Sequence, residues 1–178
     1  MTDKIALRAR MRAARDGMTR NAAIWPTDAF LSALVRQPVV ASYIPIGSEA
    51  DPGYFAAAAR DAGCTIVLPH VTTKAAPFRF LAWDAAEPLV AGPFGLQQPP
   101  AGAVEVRPDI ILTPLLGFDR AGNRLGQGAG HYDRAFAAHP DAWRIGIAWA
   151  VQQVATLVPD PWDVALHAIA TESDWIVP

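Results

Sequence analysis

Gly117, Gly122, Gly126, Gly128 and Gly130 crowd into a short stretch of a chain that has 13 glycines in all. Without a Cβ, such a segment can bring its backbone N–H groups close to an anion. An apolar run ends near Pro114 before the cluster, and a helical pattern begins near Tyr132 after it. A glycine-rich passage from strand to helix joins bare N–H groups to the positive end of a helix, an arrangement that suits phosphate. Arg124 precedes the core of the cluster and can pair with phosphate, while Asp133 follows it and can hold Mg²⁺. The competing reading is a flexible hairpin, since Asp119-Arg120-Ala121-Gly122 is also a good turn sequence.

The cluster does not match the two commonest nucleotide fingerprints. A P-loop closes on Gly-Lys-Ser/Thr, whereas this chain reads Gly128-Ala129-Gly130-His131. A dinucleotide loop needs Gly-x-Gly-x-x-Gly, and here Gly126-Gln127-Gly128-Ala129-Gly130 places the third glycine one position early.

The elements around the cluster follow from hydrophobic spacing. Leu7, Met11, Ala14 and Met18 recur at helical intervals, which predicts a helix over 2–20, and Asn21 to Pro26 breaks it. Thr27 can cap a second helix through Leu34. The run 39–43 predicts a buried strand, and Pro52-Gly53 opens an alanine-rich helix ending before Gly63. A strand over 65–68 follows, which is the spacing of a right-handed parallel crossover. Further strands are predicted over 78–83, 110–112, 145–148 and 168–170, with a proline-rich surface loop at 97–103. The alternation predicts a single α/β domain over 1–178 with a mostly parallel central sheet flanked by helices.

Composition narrows the function classes. A 178-residue chain with 52% hydrophobic and 18% charged residues is neither disordered nor a solvating tail. No apolar run reaches the length of a membrane span. A net charge of −2 argues against a general nucleic-acid binder. The basic side chains Lys4, Arg8, Arg10, Arg12, Arg15 and Arg20 gather at the N-terminus, but without the apolar stretch and cleavage site of a secretory signal. Cys64 is the lone cysteine and reads as a small core residue, so a reduced, cytoplasmic setting is expected. His70 and His139 lack ligand spacing, and the scattered tryptophans suggest packing rather than a nucleic-acid platform.

The stretch Asn123-Arg124-Leu125-Gly126-Gln127-Gly128-Ala129-Gly130-His131-Tyr132-Asp133-Arg134 resembles the signature of the 5-formyltetrahydrofolate cyclo-ligase family. Supporting segments stand in the family's order: Lys4 and Arg8, Ile46 through Asp51, Phe94-Gly95-Leu96, Phe118-Asp119-Arg120, Asp163-Val164 and Thr171-Glu172. The resemblance implies that ATP phosphorylates the formyl oxygen of 5-formyltetrahydrofolate, that N10 attacks the activated carbon, and that loss of phosphate yields 5,10-methenyltetrahydrofolate. Such chemistry rests on positioning and electrostatics rather than a covalent nucleophile, in keeping with a chain lacking Ser-His-Asp or Cys-His signatures.

Roles follow from that resemblance. Lys4 and Arg8, four apart on one helix face, are implied to reach ATP phosphates; the alternative is a solvated basic helix, and Arg12 and Arg15 are expected to matter less for ATP. Residues 124–132 (Arg124, Leu125, Gly126, Gln127, Gly128, Ala129, Gly130, His131 and Tyr132) resemble the ATP-binding loop, with Arg124 and Asp133 central to catalysis. Asp133 and Asp163 resemble Mg²⁺ ligands, against a helix-start acid and a turn residue respectively. Ile46, Glu49 and Asp51 resemble the pterin-binding segment, where a carboxylate pairs with pterin N–H donors, against an ordinary helix cap. Phe94 resembles an aromatic near substrate, with buried core the alternative.

Two positions leave the family's pattern: His131, where Tyr or Phe is usual, and His167, where Asp is usual and where a structural role is expected here. Two other function classes remain, a non-catalytic folate-binding protein and a sugar-phosphate or acyl-transfer enzyme of similar architecture. The intact set Arg124, Gly126, Gly128, Gly130 and Asp133 argues against both.

Overall fold

In the computed structural model, which describes residues 3–19, 22–73 and 76–178, Asp3 starts the first helix by accepting from Ile5 N at 2.8 Å. Helix α1 spans Lys4–Asp16 and buries Leu7, Met11 and Arg15 along one stripe. It is shorter than the expected 2–20. The N–H of Gly17 closes on Ala13 O and that of Met18 on Arg15 O, so Met18 lies past the end, and Arg20 and Asn21 fall outside the described residues. Thr27 caps α2 (Asp28–Leu34) as expected, its side chain accepting from Phe30 N.

The strands are β1 (Val40–Ala41), β2 (Ile66–His70), β3 (Arg79–Ala82), β4 (Val90–Ala91), β5 (Gln97–Gln98), β6 (Ile110–Pro114), β7 (Gly117–Phe118), β8 (Arg124–Leu125), β9 (Trp143–Ile147), β10 (Ala168–Ala170) and β11 (Trp175–Ile176). Two further helices are α3 (Gly53–Asp61) and α4 (His131–Ala138). Seven strands form the main sheet in the order β11-β10-β9-β6-β1-β2-β3. The inner five run parallel, and the edge strands β3 and β11 pair antiparallel. The chain winds from β1 outward to β2, then returns to β6 on β1's other side. That reversal opens a crevice beyond the carboxyl ends of β1 and β6, where α/β sheets bind ligands.

Alternation along each strand splits the core between the two faces of the sheet. Val40, Ile66, Ile110, Leu112 and Ile145 pack with Phe30 and Phe55 of α2 and α3. Ala41, Val67, Ile111 and Ile169 pack with Phe136 of α4. A smaller cluster, Leu7, Met11, Leu116, Leu125 and Leu157, seats α1 on the segment carrying the glycines. Burying each such side chain contributes about 1.5–3 kcal/mol, enough to fix where α1 lies.

The expected surface loop at 97–103 is only partly one. Gln98 is buried because its side-chain amide clamps Val71, accepting from its N–H at 3.0 Å and donating to its carbonyl at 3.2 Å. This pins the β4–β5 hairpin beside the end of β2. Among the described residues no helix is long and apolar enough to cross a membrane.

Candidate active site

A cleft of about 560 Å³ opens at the carboxyl ends of the central strands, with Tyr43 and Ile44 after β1, Pro69 and Val71 at β2, and Pro114 and Leu115 at β6 along its floor. The glycine segment divides between a hairpin and a wall of the cleft. Gly117 and Gly122 belong to the β7–β8 hairpin, whose turn is held by buried Asp119 accepting from the N–H groups of Ala121 and Asn123. Residues 126–130 form the cleft wall and lead into α4.

The three cleft glycines are not equivalent. Gly128 has φ +97 and Gly130 φ +66, conformations that side-chain-bearing residues adopt at a cost. Gly126 has no such φ, and a Cβ there would meet nothing within 4 Å. Gly130 caps α4 without a side-chain hydrogen bond, so the helix start presents N–H groups that no side chain of the cap satisfies.

Helix α1 lays a second stripe, Lys4, Arg8 and Arg12, against this wall. Arg8 Nε donates to Gly126 O at 2.9 Å, and its Cζ is 3.4 Å from where a Gly128 Cβ would stand. Arg12 donates to Gln127 Oε1 at 2.7 Å. Lys4 Nζ reaches Asp160 at 2.7 Å and Asp163 at 3.2 Å. Burial lowers the Lys4 pKa, but the two carboxylates outweigh it and hold the ammonium above its ordinary value.

Arg124 is committed on both sides. It donates to Val164 O at 2.7 Å and to Asp133 Oδ1 at 2.6 Å, and its guanidinium carbon sits 4.6 Å over the Phe136 ring. It therefore ties α4 to the 160–165 segment. Asp133 and Asp163 both line the cleft. Their hydrogen bonds fall on Oδ1 of Asp133 and Oδ2 of Asp163, so each keeps one carboxylate oxygen that takes no protein hydrogen bond among the described residues. No group of three or more His, Cys, Asp or Glu residues suited to a metal occurs among the described residues. Two hard oxygen donors nonetheless fit Mg²⁺, which usually keeps waters and phosphate oxygens for its remaining positions.

On the other side of the cleft, Ile46 and Glu49 are part of the lining. Glu49 Oε2 accepts from Ile46 N at 3.0 Å. Burial pushes its pKa up, opposed by the Ile46 N–H, Arg15 and Gln127. Tyr132 lies in the same electrostatic neighbourhood. Burial raises its phenol well above the usual value, and the nearby Glu49 charge adds to that. Asp51 is not brought in: it is exposed and accepts from Gly53 N at 2.8 Å, the helix-cap alternative.

Phe94 is 62% exposed and lines the cleft from the tip of the β4–β5 connection, which excludes the buried-core alternative. Its φ of 61 is the left-handed conformation, strained for a bulky side chain.

His131 begins α4, its ring 5.9 Å from Phe78, with Nδ1 3.0 Å from Arg134 Nη2. His167 is outside the cleft lining and takes the Arg144 N–H on Nδ1 at 3.1 Å, a structural placement. Spacing along α1 hid Arg15, which is 5% exposed and joins the core stripe rather than the solvated face. Asp160 was also missed, although Asp160-Pro161-Trp162-Asp163 carried its signal as a second acid beside the one chosen.

Residues 1–172 match the family described as the 5-formyltetrahydrofolate cyclo-ligase family. The chain belongs to that family. It is 35% identical over 148 residues to the 5-formyltetrahydrofolate cyclo-ligase of Mycolicibacterium smegmatis, covering 78% of this chain and 75% of the relative. The Escherichia coli K12 protein of the same name is 33% identical over 119 residues, covering 63% of this chain and 65% of its own. Two solved structures share the fold. The 5,10-methenyltetrahydrofolate synthetase of Aquifex aeolicus superposes with a TM-score of 0.76 at 23% identity, over 98% of this chain and 92% of that one. That of Mycoplasma pneumoniae gives 0.69 at 24%, over 94% and 98%. Family and relatives support cyclo-ligase activity on a formylated folate.

Proposed function

We propose that the cleft performs an ATP-dependent cyclisation of 5-formyltetrahydrofolate to 5,10-methenyltetrahydrofolate, with release of ADP and phosphate. The observation that carries this reading is the wall at 126–130. It holds two left-handed glycines, has Arg8 packed against it within the cleft, and delivers a helix start without a side-chain cap to the same cleft that Glu49 and Phe94 line. Phosphate needs the first set of features; a flat heterocycle with N–H donors needs the second.

The chemistry follows from the substrate. An N-formyl oxygen is a poor leaving group until it takes the γ-phosphoryl of ATP. N10 then attacks the formyl carbon, the phosphate departs with the oxygen, and the five-membered ring closes. The protein contributes alignment and charge. Lys4, Arg8 and the loop N–H groups face the nucleotide's phosphates. Arg124 holds Asp133 and the 160–165 segment in place, and Glu49 receives the pterin N–H donors.

Lys4, Arg8 and Arg124 meet Glu49, Asp133, Asp160 and Asp163 in the lining, so acids outnumber bases around an anionic nucleotide. A divalent cation offsets that repulsion. Asp133 and Asp163 would hold Mg²⁺, which supplies charge neutralisation on the phosphates when bound.

The test is to follow methenyltetrahydrofolate absorbance with purified protein, 5-formyltetrahydrofolate and Mg-ATP, omitting each in turn. Product should require all three. Folate binding without turnover would replace the reading with the folate-binding alternative.

A further inference from the structure

The buried stripe of α1 ends on an arginine where its neighbours Leu7 and Met11 are apolar. Arg15 is 5% exposed, yet its Nη1 has no hydrogen-bond partner among the described residues. A buried guanidinium left partly unpaired is costly, so its retention needs a physical reason. Its surroundings supply one. Arg15 Nε donates to Ser48 Oγ at 2.9 Å, and Ser48 Oγ in turn donates to Asp16 at the end of α1. Trp149 Nε1 donates to the Ser48 carbonyl at 3.1 Å, fixing that segment from the sheet side. Held this way, the unpaired Nη1 stands 3.9 Å from Glu49 Oε1, whose side chain is only 12% exposed.

We propose that Arg15 is a positioning residue that holds Glu49 ionised and oriented toward the pterin from behind the cleft wall. The inference rests on the pterin reading of Glu49 given above. Arg15 is not part of the cleft lining, so it acts through Glu49 rather than on a ligand. A pterin edge offers N–H donors, which a carboxylate accepts on both oxygens and a protonated acid does not. Burial works against that charge. Arg15, the Ile46 N–H and Gln127 work for it, while Tyr43 and Tyr132 face the same charge as neutral phenols. Arg12 enters through Gln127, Asp16 through Ser48, and Asp51 acts on Tyr43. Of these groups, Arg15 is the buried cation placed within ion-pair distance of Glu49.

The experiment compares wild type, Arg15→Met and Arg15→Lys in two ways. First, Glu49 is titrated by carbon NMR of carboxyl-labelled glutamate without any substrate. Its signal is assigned among Glu49, Glu87, Glu105 and Glu172 by its loss in Glu49→Gln. Glu49 should titrate at higher pH in Arg15→Met, with most of the shift restored in Arg15→Lys. Second, KM for 5-formyltetrahydrofolate should rise about tenfold in Arg15→Met at neutral pH, within the range expected for losing one nearby opposite charge, while KM for ATP stays within about twofold. An unchanged Glu49 titration, or equal losses for both substrates, overturns the proposal. If Arg15→Met does not fold, Ser48→Ala decides: it frees the guanidinium from its anchor and should move Glu49 in the same direction, and no movement overturns the proposal. Failure of the wild type to bind reduced folate, with the Glu49 titration still responding to Arg15, would remove the pterin reading alone and support the coupling.

Discussion

Arg124 and Asp133 meet at 2.6 Å, with the arginine side chain 5% exposed and the aspartate 18%. Their residue types suit phosphate and Mg²⁺, yet each is also the other's partner. Asp133→Asn is therefore not silent for the fold. It leaves a nearly buried guanidinium without its counter-charge, and should lower stability by about 1–3 kcal/mol, the loss expected when one partner of a charged hydrogen bond goes. At this chain length that is a fall in Tm of roughly 2–12 °C. kcat should fall by about a hundredfold or more if Asp133 carries Mg²⁺. A kcat that stays low at temperatures well below the variant's Tm would separate the two roles. Near-normal turnover of Asp133→Asn would remove the metal role.

The glycines of the cleft wall should respond unequally. Gly128→Ala forces a side chain into φ +97 with its Cβ 3.4 Å from Arg8, costing about 1–3 kcal/mol. Its KM for ATP should rise by about tenfold or more, as expected for a displaced phosphate contact. Gly126→Ala meets open space and should change neither stability nor ATP binding measurably. Calorimetry with ATP on both variants checks this, and equal behaviour would show that loop conformation is not what binds phosphate.

Glu49 should trade stability for binding. Its folded pKa is raised by burial above its unfolded value. The stability this group contributes is therefore fully present below the unfolded pKa and is lost as pH rises through the folded pKa. Glu49→Gln should melt higher than wild type at pH 7 to 8, with the gain vanishing below about pH 4, where the free carboxyl is protonated in either state. The same variant should bind reduced folate poorly. Thermal melts across pH, beside folate binding, test both halves.

Phe94 holds a left-handed φ of 61 while 62% exposed, so its conformation is not explained by burial. Phe94→Gly should relieve that strain and leave Tm unchanged or slightly higher, yet raise KM for the folate by about tenfold, the loss of one apolar contact surface. A drop in Tm without a change in KM would make Phe94 structural.

Much of this protein was already legible in its residue pattern. The runs around Val40, Ile66 and Ile110 are apolar because strands buried on both faces must be, and they specified a parallel sheet. Thr27, Pro52 and Gly53 marked helix starts through local backbone chemistry that needs no tertiary partner. The glycine segment with Arg124 and Asp133 was legible for the same reason, since freedom at φ and charge are properties of single residues. The tertiary structure alone decided which charges meet. Lys4 finds Asp160 and Asp163 more than 150 residues away, because Leu7 and Met11 dock α1 on the Leu116, Leu125 and Leu157 cluster. It also decided that Glu49 enters the cleft while Asp51, two residues later, stays outside it and accepts from the Gly53 N–H at the start of α3. Arg15 looked like one more solvated cation on a basic helix. Only the rotation of α1 set by that packing turns it inward to Ser48 and Glu49, because burial depends on what a helix face meets and not on the residue it carries.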